Sequence, residues 1–106
     1  SLANAYFFKA GHLGFAPAFK ELADSYLNGE GVQKSSSWAL YYYECAGRRG
    51  YGPAQFNAGV LLKEGKEEIN ANSSKAYYWL DKAANNPDLC ELQKDAAILR
   101  DCVLSK

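Results

Sequence analysis

Gly-Phe-Ala-Pro-Ala, from Gly14 to Ala18, is the stretch that decides the fold, because a close copy of it begins 36 residues later, at Gly50. That copy reads Gly-Tyr-Gly-Pro-Ala and runs from Gly50 to Ala54. Three columns of small residues keep the same register at spacings of 36 and 37 residues: Ala3, Ala39 and Ala76; Ala10, Ala46 and Ala83; Gly11, Gly47 and Ala84. A fixed period of this length is typical of a solenoid, in which each unit buries its apolar face only against its neighbours.

The composition is that of one folded domain without an excess of charge. The chain has 106 residues, of which 48% are hydrophobic, and this composition argues against a disordered chain. Lys and Arg together number 12, as do Asp and Glu, and this balance argues against nucleic acid as a partner. No apolar run reaches the roughly 20 residues that span a bilayer, so we expect no direct membrane insertion.

The number and spacing of the cysteines indicate the cellular compartment. Cys45, Cys90 and Cys102 are odd in number and irregular in spacing, which is typical of free thiols in a reducing compartment. We therefore expect a cytoplasmic protein, while the glycosylation triplet that begins at Asn72 leaves the endoplasmic-reticulum lumen or secretion open. The chain lacks methionine and its repeat register is under way at Ala3, so we expect it to be part of a larger protein.

Each repeat divides into a pair of helices. Apolar residues recur at steps of three and four, Pro17 and Pro53 suit first turns, and Gly29 suits a helix end. Ser35 or Ser36 is the predicted N-cap of the helix that follows. The predicted helices cover residues 2–11, 17–28, 36–47, 53–64, 73–85 and a last helix from 87 onward. The predicted division is the end of a preceding repeat at 1–16, repeats at 17–52 and 53–86, and a capping helix, or a degenerate first helix of a third repeat, at 87–106.

Large and small side chains alternate on the faces that we expect to be buried, as interdigitated packing requires. In the first five helices these residues are Ala3, Tyr6, Phe7, Ala10, Ala18, Leu22, Ala23, Tyr26, Ala39, Tyr42, Tyr43, Ala46, Ala54, Ala58, Gly59, Leu62, Ala76, Trp79, Leu80 and Ala83. In the last helix they are Leu89, Leu92, Ala96, Leu99 and Val103.

One turn carries a resemblance to a known family. Tyr-Leu-Asn-Gly-Glu-Gly-Val, from Tyr26 to Val32, is followed by the alanines Ala39 and Ala46 and then by Gly50 and Pro53. This pattern resembles the Sel1-like repeat, a relative of the tetratricopeptide repeat, over two full units and the tail of a third. The resemblance implies an all-α fold, a right-handed α-α superhelix of helix-turn-helix repeats. The second unit departs from the pattern, since Gly65 is followed by Lys-Glu-Glu-Ile instead of the rest of the turn.

The resemblance also implies a function. Members are similar to adaptors, so it implies a non-catalytic scaffold that binds protein partners and packs against flanking repeats of the parent chain, without a cofactor. The first helix of each repeat, helix A, would line the concave face. Transferring the groove positions of the tetratricopeptide relatives gives candidate partner-binding residues: Lys20, Asp24, Leu27, Asn28, Phe56, Val60, Lys63 and Glu64.

Two other functions remain open beside the adaptor. One is a lumenal scaffold domain of endoplasmic-reticulum-associated degradation. The other is an enzyme like the cysteine-rich relatives of this repeat, which resemble β-lactamases or penicillin-binding proteins. Those relatives carry a disulfide in each unit, whereas Cys45 aligns with Lys9 and Lys82 here.

The sequence offers little for catalysis or metal binding. His12 is the only histidine, and no nucleophile and carboxylate accompany it in a catalytic pattern. One histidine and three scattered cysteines make no zinc pattern. Gly29 and Gly31 follow a helix instead of preceding one, which is the reverse of a nucleotide-binding loop. We therefore expect no catalytic residue, no metal ligand and no cofactor.

Overall fold

The computed structural model describes residues 2–67 and 69–104, and across these ranges the chain folds into α-helices without a β-strand. The helices are α1 (Leu2–His12), α2 (Ala16–Asn28), α3 (Ser36–Arg48), α4 (Gly52–Glu64), α5 (Ser73–Ala84) and α6 (Leu92–Leu104), with a short 3₁₀ helix, Pro87–Leu89, before α6. Each helix packs against the next one in chain order, which gives a flat stack of 43 × 30 × 18 Å. The predicted all-α solenoid is confirmed.

Local sequence signals set the helix ends. Pro17 and Pro53 lie in the first turns of α2 and α4, where a missing N–H costs no hydrogen bond. Gly29 closes α2 in the left-handed conformation, with φ at 72°. Ser35 is the N-cap of α3, and its side chain accepts a hydrogen bond from the Trp38 N–H at 3.2 Å.

The core follows the predicted faces closely and consists of one large cluster and a small one of Ala83, Leu89 and Ala96, with Phe56 packed against both. The predicted residues that are buried are Ala18, Leu22, Ala23, Ala39, Tyr42, Tyr43, Ala46, Ala54, Ala58, Gly59, Leu62, Ala76, Trp79, Leu80, Ala83, Leu89, Ala96 and Val103. Leu92 is an exception, since it is 39% exposed at the start of α6. The prediction missed Phe19, Ser36, Gln55 and Ile69, which are all buried.

The predicted inward face of α1 is wrong at Ala3 and Tyr6. Ala3 is exposed and Tyr6 is 67% exposed, whereas their repeat equivalents Ala39 and Tyr42 are 0% and 7% exposed. α1 has the register of helix B, the second helix of a repeat, but no helix A packs on this face within residues 2–67 and 69–104. A side chain is buried only when a neighbouring element covers it, so the same residue type has different exposures in the two repeats.

Close approach between helices explains the small residues. A Cβ atom added at Gly11 would lie 2.6 Å from the Phe19 ring, and one at Gly47 would lie 2.7 Å from the Trp79 ring. A Cβ atom at Gly59 would lie 2.6 Å from Cγ of Leu80. Each glycine therefore leaves the space that a large side chain of a neighbouring helix fills.

Polar side chains tie the two repeats together. The Trp79 indole N–H donates to Glu44 Oε2 at 3.1 Å, and the buried Gln55 amide donates to the Gly47 carbonyl oxygen at 3.0 Å. In the loop between α4 and α5, Glu67 accepts a hydrogen bond from Ser36 at 3.4 Å and lies 3.4 Å from Lys34 Nζ. Buried donors and acceptors are thus satisfied between repeats, which fixes how one repeat sits on the next.

Candidate partner-binding groove

The helices α2 and α4 bring together the three apolar residues of the predicted partner-binding set. Leu27 lies in the last turn of α2, while Phe56 and Val60 lie one turn apart on α4. All three are half-buried, so each one presents part of its apolar surface to solvent. Together with Tyr43, Asn57 and Leu61 they line a groove of about 210 Å³, which we call the A-helix groove.

Three hydrogen-bonded polar side chains, Tyr43, Asp24 and Lys20, lead from the lining of this groove to its edge. The Tyr43 hydroxyl donates to Asp24 Oδ1, and Asp24 Oδ2 accepts from Lys20 Nζ at 2.8 Å. Asn57, which also lines the groove, lies close enough to the Tyr43 hydroxyl to influence its pKa. Tyr43 is 2% exposed, so its ring forms the floor of the groove and its hydroxyl fixes the carboxylate at the rim.

These contacts shift two pKa values in the same direction. Burial, and after it the hydrogen bond to Asp24, raises the pKa of Tyr43 far above its ordinary value. The hydrogen bond to Asp24 also raises the pKa of Lys20. At neutral pH the groove edge therefore carries a neutral phenol beside a paired carboxylate and ammonium group.

Replacing Tyr43 with Phe is expected to flatten the loss of stability in alkali. The folded-state pKa of Tyr43 lies above the unfolded value near 10, so the unfolded chain releases this proton first. The free energy of unfolding therefore falls as pH rises above about 10, by up to about 1.4 kcal/mol per pH unit for one such group. Urea titrations on both sides of that pH measure the slope.

The control for this prediction is Tyr78→Phe, because Tyr78 is 52% exposed. This variant also removes one tyrosine hydroxyl but leaves the contacts of Tyr43 in place, so it separates the effect of the Tyr43 site from that of losing a hydroxyl. An unchanged slope for Tyr43→Phe would show that the Tyr43 proton is not held by the fold.

The structure brings some of the predicted site residues together and leaves others apart. Leu27, Phe56 and Val60 line the A-helix groove, and Lys20 and Asp24 lie at its edge. Three other predicted residues lie at the helix ends outside the groove lining: Asn28, Lys63 and Glu64. Whether any of the eight binds a partner stays a prediction.

Sequence reasoning missed three lining residues. Asn57 and Leu61 are four apart on α4 and flank Phe56 and Val60, so helical spacing alone would have found them. Tyr43 was expected in the core, and it is buried, but it also forms the floor of the groove. No sequence signal shows that a buried side chain lines a groove between two other helices.

Groups with catalytic potential lie apart from this groove. His12 ends α1, where Nδ1 lies 3.0 Å from the Phe8 carbonyl oxygen and the ring packs against Phe8 and Phe19. Cys45 is buried, with its sulfur 3.6 Å from an Arg48 nitrogen. Within residues 2–67 and 69–104, no three His, Cys, Asp or Glu side chains come together as metal ligands.

Both repeats match the model of a known repeat family. The model of the Sel1 repeat matches residues 20–51 and 52–88, which together make up more than half of the chain. The chain belongs to the Sel1 repeat family. The resemblance that begins at Tyr26 is therefore confirmed, including for the second repeat, where the turn pattern is lost.

Solved Sel1 structures share the fold. The crystal structure of a Sel1 repeat protein from Oxalobacter formigenes matches with a TM-score of 0.74 and 32% identity, over 80% of this chain and 35% of that one. A protective antigen present in uropathogenic Escherichia coli strains, which displays an SLR fold, matches with a TM-score of 0.68 and 32% identity. The match covers 76% of this Sel1 chain and 17% of the antigen. A comparison with curated proteins found no match.

Membership in the family defines a general role. Sel1 repeats typically form scaffolds for protein–protein interaction, and the proteins that contain them are generally non-catalytic. In the described part of this Sel1 chain, every helix is too short or too polar to cross a membrane.

Proposed function

We propose that this Sel1 chain is an interaction scaffold that holds a segment of a partner protein in the A-helix groove. One observation carries the proposal: Leu27, Phe56 and Val60, from two successive A helices, converge half-exposed above the Tyr43 ring. Apolar side chains that cluster on a surface gain free energy when a partner covers them. Family membership supports the same general role.

The size of the groove indicates what kind of group it takes. Its volume of about 210 Å³ is below the range of about 300–1,000 Å³ that is usual for small-molecule and cofactor sites. A space of that size suits one large apolar side chain of a peptide. The Lys20–Asp24 pair beside the groove offers a donor and an acceptor to the peptide backbone next to that anchor. We therefore propose an apolar anchor flanked by main-chain hydrogen bonds.

Peptide display on the immobilised chain tests this function. Peptides are selected on the wild type, and the affinity of the selected peptides is then measured for Phe56→Ala and Val60→Glu. We expect each variant to weaken binding at least about tenfold, because each removes apolar contact and the second also places a charge in the groove. Lys20→Glu should weaken binding less, because its contribution is a partly exposed ion pair.

The matched control is Tyr78→Ala, which removes an exposed aromatic ring outside the groove. It should bind the selected peptides as the wild type does, and thermal unfolding should show that every variant is folded. Peptides that bind Phe56→Ala and Val60→Glu with unchanged affinity would rule out the A-helix groove as the binding site.

We further propose that this protein works in the cytoplasm. The support is that Cys45 and Cys90 are thiols outside any disulfide, and that Cys90 is exposed. Exposed thiols persist in reducing compartments and are oxidised or paired elsewhere. Counting reactive thiols in protein isolated with and without reductant tests the proposal, and a pairing seen only without reductant would overturn it.

A further inference from the structure

A second groove lies at the turn between the two helices of the first full repeat. It runs between the end of α2 and the start of α3, has a volume of about 510 Å³, and we call it the turn groove. Its lining consists of Tyr26, Val32, Gln33, Lys34, Ser35 and Trp38. The A-helix groove shares none of these residues, so the two grooves are separate surfaces of the molecule.

Stacked aromatic rings form one wall of the turn groove. The Trp38 ring stacks on the rings of Tyr26 and Tyr42, with centroids 6.2 and 5.9 Å apart. It also meets the ring of Tyr41 edge-on, at 5.6 Å. Tyr42 is buried and supports the stack from the core, whereas Trp38 and Tyr41 are 52% and 49% exposed. The Ser35 side chain accepts a hydrogen bond from the Trp38 backbone N–H, so both the backbone and the ring of Trp38 are held before any ligand arrives.

The exposure of Trp38 does not depend on where the sequence begins. Lys75 has the same position in the second repeat, and it is exposed although a complete repeat precedes it. The helix before this turn is also in place, because Asn4 of α1 is buried and donates to the Glu30 carbonyl oxygen at 2.8 Å. The following repeat reaches the turn through Glu67. Trp38 is therefore open to solvent although elements of both adjacent repeats pack around its turn.

The polar groups of the turn groove are chiefly hydrogen-bond donors. Among the residues that the structure describes, none accepts a hydrogen bond from the Trp38 indole N–H. Gln33 adds a side-chain amide, and Lys34 adds an ammonium group. The carboxylate of Glu67 beside the groove is already bound, since it lies 3.4 Å from Lys34 Nζ and accepts from Ser36. The groove therefore suits a ligand that brings acceptors and apolar rings but few donors.

We propose that the turn groove binds a proline-rich segment of a partner protein in the polyproline II conformation. Prolyl residues have no N–H, so such a segment presents carbonyl acceptors and ring faces and almost no donors. Its pyrrolidine rings pack on Trp38 and Tyr41, and its carbonyl oxygens accept from the indole N–H and from Gln33. A saccharide fits less well, because its hydroxyl groups also need acceptors and the nearby carboxylate is occupied. This inference is independent of the A-helix groove.

Titration of the full chain with decaproline tests the proposal. Trp79 is buried, so we expect binding to change the fluorescence of Trp38 and to leave that of Trp79 unaltered. Calorimetry then compares the variants, and we expect a Kd for the wild type on the order of 0.1 mM. Trp38→Ala and Tyr41→Ala should each weaken binding at least about tenfold. Tyr78→Ala is the matched control, because Tyr78 is the equivalent of Tyr41 in the second repeat and is 52% exposed.

Two further ligands and one further variant decide between sites and ligand classes. A glycine–serine peptide of the same length and an oligomer of N-acetylglucosamine should both fail to bind, and saturable binding of the sugar at Trp38 would overturn the proposal. Phe56→Ala should bind decaproline as the wild type does, since Phe56 lies in the A-helix groove, and a loss there would assign the peptide to that groove instead. Decaproline that does not bind at millimolar concentration, or that binds Trp38→Ala and Tyr41→Ala unchanged, would also overturn it.

Discussion

Trp79→Ala is expected to lower the free energy of unfolding by about 3–5 kcal/mol, as truncation of a buried aromatic side chain does. Trp79 is 4% exposed, and its ring fills the space that Gly47 leaves on the neighbouring repeat. Its indole N–H also donates to Glu44 at 3.1 Å, so truncation removes packing and a hydrogen bond together. A domain of ordinary stability has only about 5–15 kcal/mol in total, so much of this Sel1 chain should unfold at mild urea concentrations.

Urea titration followed by far-ultraviolet circular dichroism measures this loss. The control is Tyr78→Ala, the adjacent residue, which is 52% exposed and should cost less than about 1 kcal/mol. Trp79→Phe should fall between the two, since a smaller ring keeps part of the packing and loses the indole donor. Equal losses for Trp79→Ala and Tyr78→Ala would show that the contact between repeats does not stabilise the fold.

Leu80→Ala should cost about 2–5 kcal/mol, because Leu80 is 0% exposed and its truncation leaves a cavity over Gly59. The size of the loss depends on how far the surrounding helices can relax. Thermal and urea unfolding both report it.

Gly59→Ala is expected to have opposite effects in the two backgrounds. In the wild type, the new methyl group would lie 2.6 Å from Leu80 Cγ, and this overlap should cost about 1–3 kcal/mol, so the variant is destabilised despite the gain of about 1 kcal/mol that alanine brings to a helix. In Leu80→Ala the methyl group enters the cavity, so the same substitution should restore part of the lost stability. Additive free energies in this double-mutant cycle would contradict the assigned contact.

The helices and their period were predictable because local chemistry determines them. Pro17, Gly29 and Ser35 act through φ, a missing N–H or a side-chain oxygen, and each acts within a few residues of itself. The columns of small residues were readable for a related reason. A solenoid repeats the same close contact in each unit, so Gly11 and Gly47 return at the spacing of the repeat.

The A-helix groove was only partly predictable. The family resemblance placed Leu27, Phe56 and Val60 on the exposed side of helix A, and the structure shows that they share one groove. It did not reveal that Tyr43, a core residue of α3, forms the floor and holds Asp24 at the edge. That arrangement depends on three helices at once, and helical periodicity describes only one.

By itself, the sequence determined that this chain is a stack of Sel1 helix pairs, where the first five helices begin and end to within about one residue, and which columns must be small. The last helix was expected to begin at Pro87, but Pro87–Leu89 is a short 3₁₀ helix, Cys90 has a positive φ of 51°, and α6 begins at Leu92. The tertiary structure decided which faces are covered. Tyr6 and Tyr42 are both tyrosines at the same repeat position, yet of the two only Tyr42 has a helix A against it and is buried. Whether a side chain is buried depends on which elements pack against it, and these come from elsewhere in the chain. Periodicity can therefore identify the apolar face of a helix, but not the element that packs on it.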